Sequence, residues 1–441
     1  MSDRESTNIP ANSAAPDELR RRLGMFDAVV IGLGSMIGAG IFAALGPAAR
    51  AAGSGLLLGL AVAAVVAYCN ATSSARLAAL YPASGGTYVY GRKRLGDFWG
   101  YLAGWGFVVG KTASCAAMAL TVGRYAWPAQ AHAVAVAAVV ALTAVNYAGV
   151  QKSAWLTRVI AAIVLAVLAA VVVAAFTSGA AVADLLDLAG APINRVLQAA
   201  GLLFFAFAGY ARIATLGEEV HDPARTIPRA IPLALGITLI VYAVVAAAAL
   251  TVLGAQRLGS AAAPLAEVVQ VAGVSWLMPA VRVGAAVAAL GSLLALILGV
   301  SRTTLAMARD RHLPQALAAV HPRFKVPHRA ELLIGVVVAV LAATTDVRGA
   351  IGFSSFAVLI YYAIANASAL TLRSDEGRPH RAIPMLGVIG CMVLAIALPL
   401  SSVLSGAAVL AIGIAAYAVR HVVAAGRRRS GRAATEKADG S

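Results

Sequence analysis

Residues 30–49 read VIGLGSMIGAGIFAALGPAA, an apolar run long enough to enter a membrane yet interrupted by Gly32, Gly34, Gly38 and Gly40. Glycine is about 1 kcal/mol per residue worse than alanine in a helix. In hydrocarbon a helix satisfies its own polar backbone, whereas an unwound stretch leaves N–H and C=O groups that cost several kcal/mol each unless something polar meets them. A segment that gives up helix at mid-membrane depth therefore implies a polar ligand or an unusually close neighbour.

The rest of the chain agrees with a membrane setting. Of 441 residues, 61% are hydrophobic and 12% charged, with a mean hydropathy of +0.84. This composition points to an all-α polytopic membrane protein embedded in the lipid bilayer. Sliding hydropathy gives roughly twelve spans, at 26–49, 54–81, 98–125, 131–150, 160–176, 196–216, 231–253, 277–306, 331–345, 349–372, 383–400 and 403–423. The domain division follows: a disordered tail at 1–22, a transmembrane domain at 23–424 and a basic tail at 425–441. No cleaved signal is expected, because the apolar run after the tail is too long for one.

Charge sets the expected orientation. The formal net charge of +16 is spread over inter-span loops with no continuous basic face, which argues against a nucleic-acid partner. Basic clusters at 20–22, 92–94, 309–311, 323–325, 373–381 and 427–429, with Lys152, Arg225 and Arg229, fall on one side. The positive-inside rule makes that side, and both termini, cytoplasmic. The other side carries isolated cations, Arg50, Arg124, Arg195, Arg257 and Arg348, against Asp184, Asp187, Glu267 and Asp346. Cys69, Cys115 and Cys391 lie far apart in apolar segments and read as small buried hydrophobes. No metal cluster, cofactor loop or catalytic constellation is expected: His132 and the loop-side histidines are dispersed, and GLGSMIGAG lacks the spacing of a nucleotide loop.

A second interruption matches the first. The sixth span, VLQAAGLLFFAFAGYARIATL, has Gly209 at a comparable depth. Matched breaks point to inverted repeats around a midplane site, with repeat one at about 23–178, repeat two at about 193–373 and two extra helices at about 382–424. A half-helix N-terminus offers free N–H groups and a positive dipole to a carboxylate, and unwound carbonyls accept from an ammonium. The expected ligand is a zwitterion. Gly34 and Gly38, four apart, also fit a small-residue packing face.

Four ordered motifs carry a family resemblance: GSMIGAGIF (34–42), YPASGGTYVYGRKRLGDFWGYLAGW (81–105), FFAFAGYARIATLGEEVHDPARTIPRAI (204–231) and SRTTLAMARDRHLP (301–314). From about residue 23 to the last span, the chain resembles the amino acid, polyamine and organocation transporter superfamily. The resemblance implies a leucine-transporter-type five-plus-five inverted repeat, discontinuous first and sixth helices, alternating access and a small amino acid substrate. Carried over by motif, the substrate-binding residues are Ser35, Met36, Ile37, Gly38, Ala39 and Gly40 on the first break. On the second they are Phe205, Ala206, Phe207, Ala208 and Gly209. The carboxylate would meet N–H groups near 37–40 and the ammonium carbonyls near Phe205, Ala206 and Ala208, with Phe205 or Phe207 as an aromatic gate. Glu218 or Glu219 could pair with Arg225 or Arg229 at an inner gate, or be solvated.

The pattern departs in two places. Gly106 and Gly110 stand where members carrying cationic amino acids are expected to have an acid, and no Asp or Glu lies deep in the spans, so a neutral substrate is expected. Sodium-independent relatives often carry a lysine in the fifth span; here that span has only Arg158, and the deep cation is Lys111 in the third. Lys111 is the proton-coupling candidate, with structural pairing as its alternative. Arg212 is a second deep cation. The reading is a secondary transporter of the cytoplasmic membrane, proton-coupled or exchanging. The alternatives are an amino acid sensor of the same fold that has lost transport and a carrier for another small amine or organic cation.

Overall fold

The computed structural model describes residues 23–82, 85–149, 154–179, 191–214 and 220–438. The described chain enters through α1 (Met25–Met36) and α2 (Ala39–Ala52), reverses, and returns as α3 (Leu56–Leu80). A short α4 (Thr87–Arg94) leads into α5 (Asp97–Ala126), α6 (Ala131–Tyr147) and α7 (Ala154–Thr177). The second half opens with α8 (Ile193–Phe207) and the one-turn α9 (Ala211–Ala214), followed by α10 (Pro223–Ser260) and α11 (Pro264–Val271). Then come α12 (Met278–Arg309), α13 (His328–Thr344), α14 (Val347–Leu370), α15 (Ala382–Ala397) and α16 (Leu400–Ala438). Among the described residues the sole extended pairing is an isolated bridge between Leu23 and Val220.

Nine helical stretches within these residues are long and apolar enough to cross a membrane. This is a multi-pass helical membrane protein. The difference from the hydropathy count arises where helices are short or run together. α1 and α2 are halves of one expected span, and α2 continues into α3 through a tight turn, making one stretch of 42 residues. α15 is apolar but short.

Local sequence explains the boundaries. Pro223 opens α10, where a missing N–H costs nothing, and Asp346 accepts from the Gly349 N–H at 3.0 Å to cap α14. Gly254, at φ +65°, interrupts the helical path of α10 in a conformation that other residues resist. The core lies around α5 and α14, which pack on one another; 83% of the most apolar window of each is buried. In the corresponding windows of α6, α7 and α16 the share is 17, 28 and 22%, so these helices form the rim. Their outward Val140, Ile163, Val173 and Ile412 make the apolar belt that a bilayer covers.

Buried polar residues tie the helices together. Asn366 of α14 donates to Asn70 of α3 at 2.6 Å and accepts from Ser73 at 2.7 Å, while the Cys391 thiol of α15 donates to Asn70 at 3.3 Å. All three cysteines are buried and free. Away from solvent such bonds fix register, because a slip would strand each amide.

Candidate functional site

α1 ends at Met36, where the Ile37 N–H still reaches the Leu33 carbonyl at 2.7 Å. Gly38 then takes a conformation that is neither helical nor extended, φ −93° and ψ −133°, and α2 begins at Ala39 without a side-chain cap. Residues 36–46 are all buried. A helix N-terminus presents N–H groups with no partner inside the helix, and one buried without a cap is the place where a ligand completes the bonding.

The second break lies beside the first. α8 ends at Phe207, a 3-10 turn covers Ala208–Tyr210, and α9 follows. A Cβ on Gly40 would stand 2.7 Å from the Ala206 Cα, so the start of α2 runs against the end of α8. The Tyr242 hydroxyl of α10 lies within hydrogen-bond distance of both the Met36 carbonyl and the Ala206 carbonyl. Acceptors of one break and the end of the other thus share a single phenol.

The packing alternative for the glycines divides. The neighbour of Gly34 is Thr157 of α7, whereas that of Gly38 is Ser292 of α12. The two do not form one face against one helix. Ser292 is 8% exposed, and among the described residues its hydroxyl has no hydrogen-bond partner. Gly38 leaves room for that hydroxyl at the uncapped start of α2, since a Cβ there would overlap it.

The remaining expected residues fall as follows. The Ser35 hydroxyl donates to the Ile31 carbonyl of its own helix at 2.8 Å. Met36 and Ile37 are buried, and Ala39 packs with Val122 and Ala289. The Phe207 ring lies 5.2 Å from that of Tyr242 and is fully buried; Phe205 is 8% exposed. Lys111 of α5 is buried, and its Nζ donates to the Ala208 carbonyl at 3.3 Å. Tyr362 of α14 reaches the same carbonyl at 3.4 Å. The structure therefore brings Lys111 to the second break and pairs it with no carboxylate among the described residues.

Contacts close the region on both sides. Along α2, the Tyr125 hydroxyl donates to the Phe42 carbonyl of its first turn at 3.2 Å, and near its end Arg50 Nε donates to the Gly259 carbonyl at 2.8 Å. Toward the start of α1, Arg158 is ion-paired with Asp27, and the His221 N–H donates to the Leu23 carbonyl at 2.9 Å. Farther along that end, Tyr88 donates to Asp310 at 2.6 Å, Arg92 bridges Asp97 and Asp310, and His312 Nε2 lies 3.1 Å from Asp97. Arg212 sits on α9, while Glu218 and Glu219 lie outside the described residues.

Sequence reasoning missed Ser292, Tyr242 and Tyr362. The signal available was their position: a lone hydroxyl in mid-span has to find an acceptor or a ligand. It also passed over Glu331, which stands at the end of a span and not deep in it: in the first turn of α13 this residue is fully buried, and among the described residues neither carboxylate oxygen has a hydrogen-bond partner. Helix packing encloses it although it stands at the end of an apolar run.

Residues 23–423 match the family model described as amino acid permease. The chain is 78% identical over 423 residues to an uncharacterized transporter of Mycobacterium tuberculosis, covering 96% of each chain. It is 26% identical to a branched-chain amino acid permease of Bacillus subtilis, covering 93% of this chain and 95% of the other. It is 28% identical to cationic amino acid transporter 4 of Homo sapiens, covering 83% of this chain and 62% of that one.

Proposed function

The chain belongs to the amino acid permease family, and from that premise we propose that it carries neutral amino acids across the cytoplasmic membrane by alternating access. It is a transporter and not an enzyme. The observation that carries the substrate site is the buried, uncapped start of α2 set against the carbonyl-bearing end of α8. The substrate carboxylate takes the N–H groups at 38–40, and its ammonium takes carbonyl lone pairs at Phe205 and Ala206, the Ala208 carbonyl already accepting from Lys111 and Tyr362.

A neutral side chain is supported by Lys111, whose charge beside the second break would repel a cationic substrate. The relative named for branched-chain amino acids is a precedent for such a substrate. Repeat one comprises residues 23–178 and repeat two 193–373, each opening with a broken helix, and the helices at 382–424 stand outside them. Both termini are cytoplasmic. Lys111 gains and loses the coupling proton.

Proteoliposome uptake of labelled neutral amino acids tests the reading. Saturable uptake that responds to an imposed pH gradient is the expected result. Binding without any uptake would instead make the protein a sensor, and no binding by any amino acid would remove the site assignment. A ligand at about 100 times its dissociation constant should stabilise the fold by roughly 2.7 kcal/mol, which a thermal-shift screen resolves.

A further inference from the structure

Arg50, near the end of α2, borders a cleft of about 720 Å³ between α2, α8, α14 and α15. One wall is polar: Arg50 from the end of α2, Arg195 from the start of α8 and Arg348 from the start of α14, with Asn194 and Gln198 beside them. The other wall includes Val393 and Ile396 of α15, which are 41 and 69% exposed.

Among the described residues lining the cleft, the charged side chains are all arginines. Among the described residues none of the three arginines is in an ion pair. Arg50 spends Nε on the Gly259 carbonyl and keeps its terminal donors, and Arg348 Nε is buried without a hydrogen-bond partner. Guanidinium groups lining one cleft with no carboxylate among its described residues fit a phosphate, whose oxygens accept several such donors at once. The exposed Val393 and Ile396 add a requirement that a free anion does not meet: on a membrane helix such side chains face acyl chains. Basic pockets between transmembrane helices bind anionic lipid headgroups, best known on the cytoplasmic side; the same charge complementarity holds at this opposite face.

We propose that this cleft binds the phosphodiester headgroup of an anionic phospholipid, with the arginines on the phosphate and an acyl chain along Val393 and Ile396. α2 and α8 are the halves that border the two breaks, so the bound headgroup holds the far ends of both against α14. The lipid acts at a place separate from the substrate site.

The test is the unfolding temperature of the purified full chain in neutral detergent. It is measured with short-chain phosphatidylglycerol, with phosphatidylcholine of the same chain length and with inorganic phosphate. Phosphatidylglycerol should raise it by several degrees and the other two by much less. The double variant Arg195→Gln, Arg348→Gln should lose that rise, and Arg195→Lys, Arg348→Lys should keep part of it. Arg195→Gln alone, at an exposed position, serves if the double variant does not fold. Equal stabilisation by phosphatidylcholine, equal stabilisation by inorganic phosphate, or a rise that survives the Gln variants would each overturn the proposal.

Discussion

Gly209 lies so close to the main chain of Ser35 that a Cβ added to it would overlap the Ser35 carbonyl and stand 2.8 Å from the Met36 nitrogen. The two interruptions touch through backbone. A methyl group there has no flexible side chain to displace, so the contact constrains sequence more tightly than ordinary core packing.

Gly209→Ala and Gly40→Ala should therefore destabilise the protein by about 1–3 kcal/mol through overpacking. Gly236, inside α10, has nothing within 4 Å of where an added methyl group would stand, and Gly236→Ala should be neutral or stabilising by about 0.5–1 kcal/mol. Unfolding temperatures of the three variants check this. Equal behaviour would mean the breaks are looser than described.

Ser292→Ala removes a buried hydroxyl that has no partner, so the ligand-free protein should unfold at the same temperature or higher. Amino acid binding should weaken by about 0.5–1.5 kcal/mol, up to about tenfold in Kd. Calorimetric titration decides. Unchanged affinity would take Ser292 out of the site.

Lys111→Met keeps the side-chain length and removes the ammonium that the Ala208 carbonyl accepts from. Exchange of amino acid across the membrane should remain measurable, while accumulation driven by a pH gradient should disappear. Wild-type pH dependence in the variant would make Lys111 a structural cation. Loss of all binding would show that it shapes the pocket.

Selectivity follows from the same charge. Neutral amino acids should compete for uptake at least tenfold better than arginine, lysine or polyamines, a difference of about 1.4 kcal/mol. Competition led by arginine would place an acid in the pocket, and Glu331 would be the first residue to exchange for glutamine.

At the loop end of α14, Arg94 donates to Glu376 at 2.6 Å and the Arg373 N–H to its other oxygen at 2.8 Å. The Arg94 hydrogen bond, aided by that N–H, holds the Glu376 carboxyl below the usual carboxylate range. A depressed folded-state pKa contributes stability above the unfolded value and loses it as pH falls through the folded one. The difference in unfolding temperature between wild type and Glu376→Gln should thus be small but present at neutral pH and vanish in acid. A difference that grows on acidification would contradict the pairing.

The helix breaks were legible because glycines at matched depth in two apolar runs conflict with the cost of bare backbone in hydrocarbon. The pairing of Asp27 with Arg158 was not, since it joins α1 to α7 across a separation that no spacing rule covers. Tyr242 and Tyr362 escaped notice for a related reason: each lies within an apolar stretch of its helix, and only tertiary packing aims its hydroxyl at a carbonyl. Hydropathy likewise sees the end of a span but not what encloses it, and Glu331 shows the difference.

Tyr242 has one hydroxyl proton and two carbonyl neighbours, Met36 and Ala206. A phenol donates one hydrogen bond at a time, so the claim of one carbonyl on that proton is always at the expense of the other. At any moment one of the two carbonyls goes without that proton and keeps more of its negative potential between the two half-helices. At the proposed site a substrate ammonium, which brings three protons, would end that competition, and its departure would restore it. On that reading the empty carrier and the loaded one differ by a proton shortage that the cargo itself relieves.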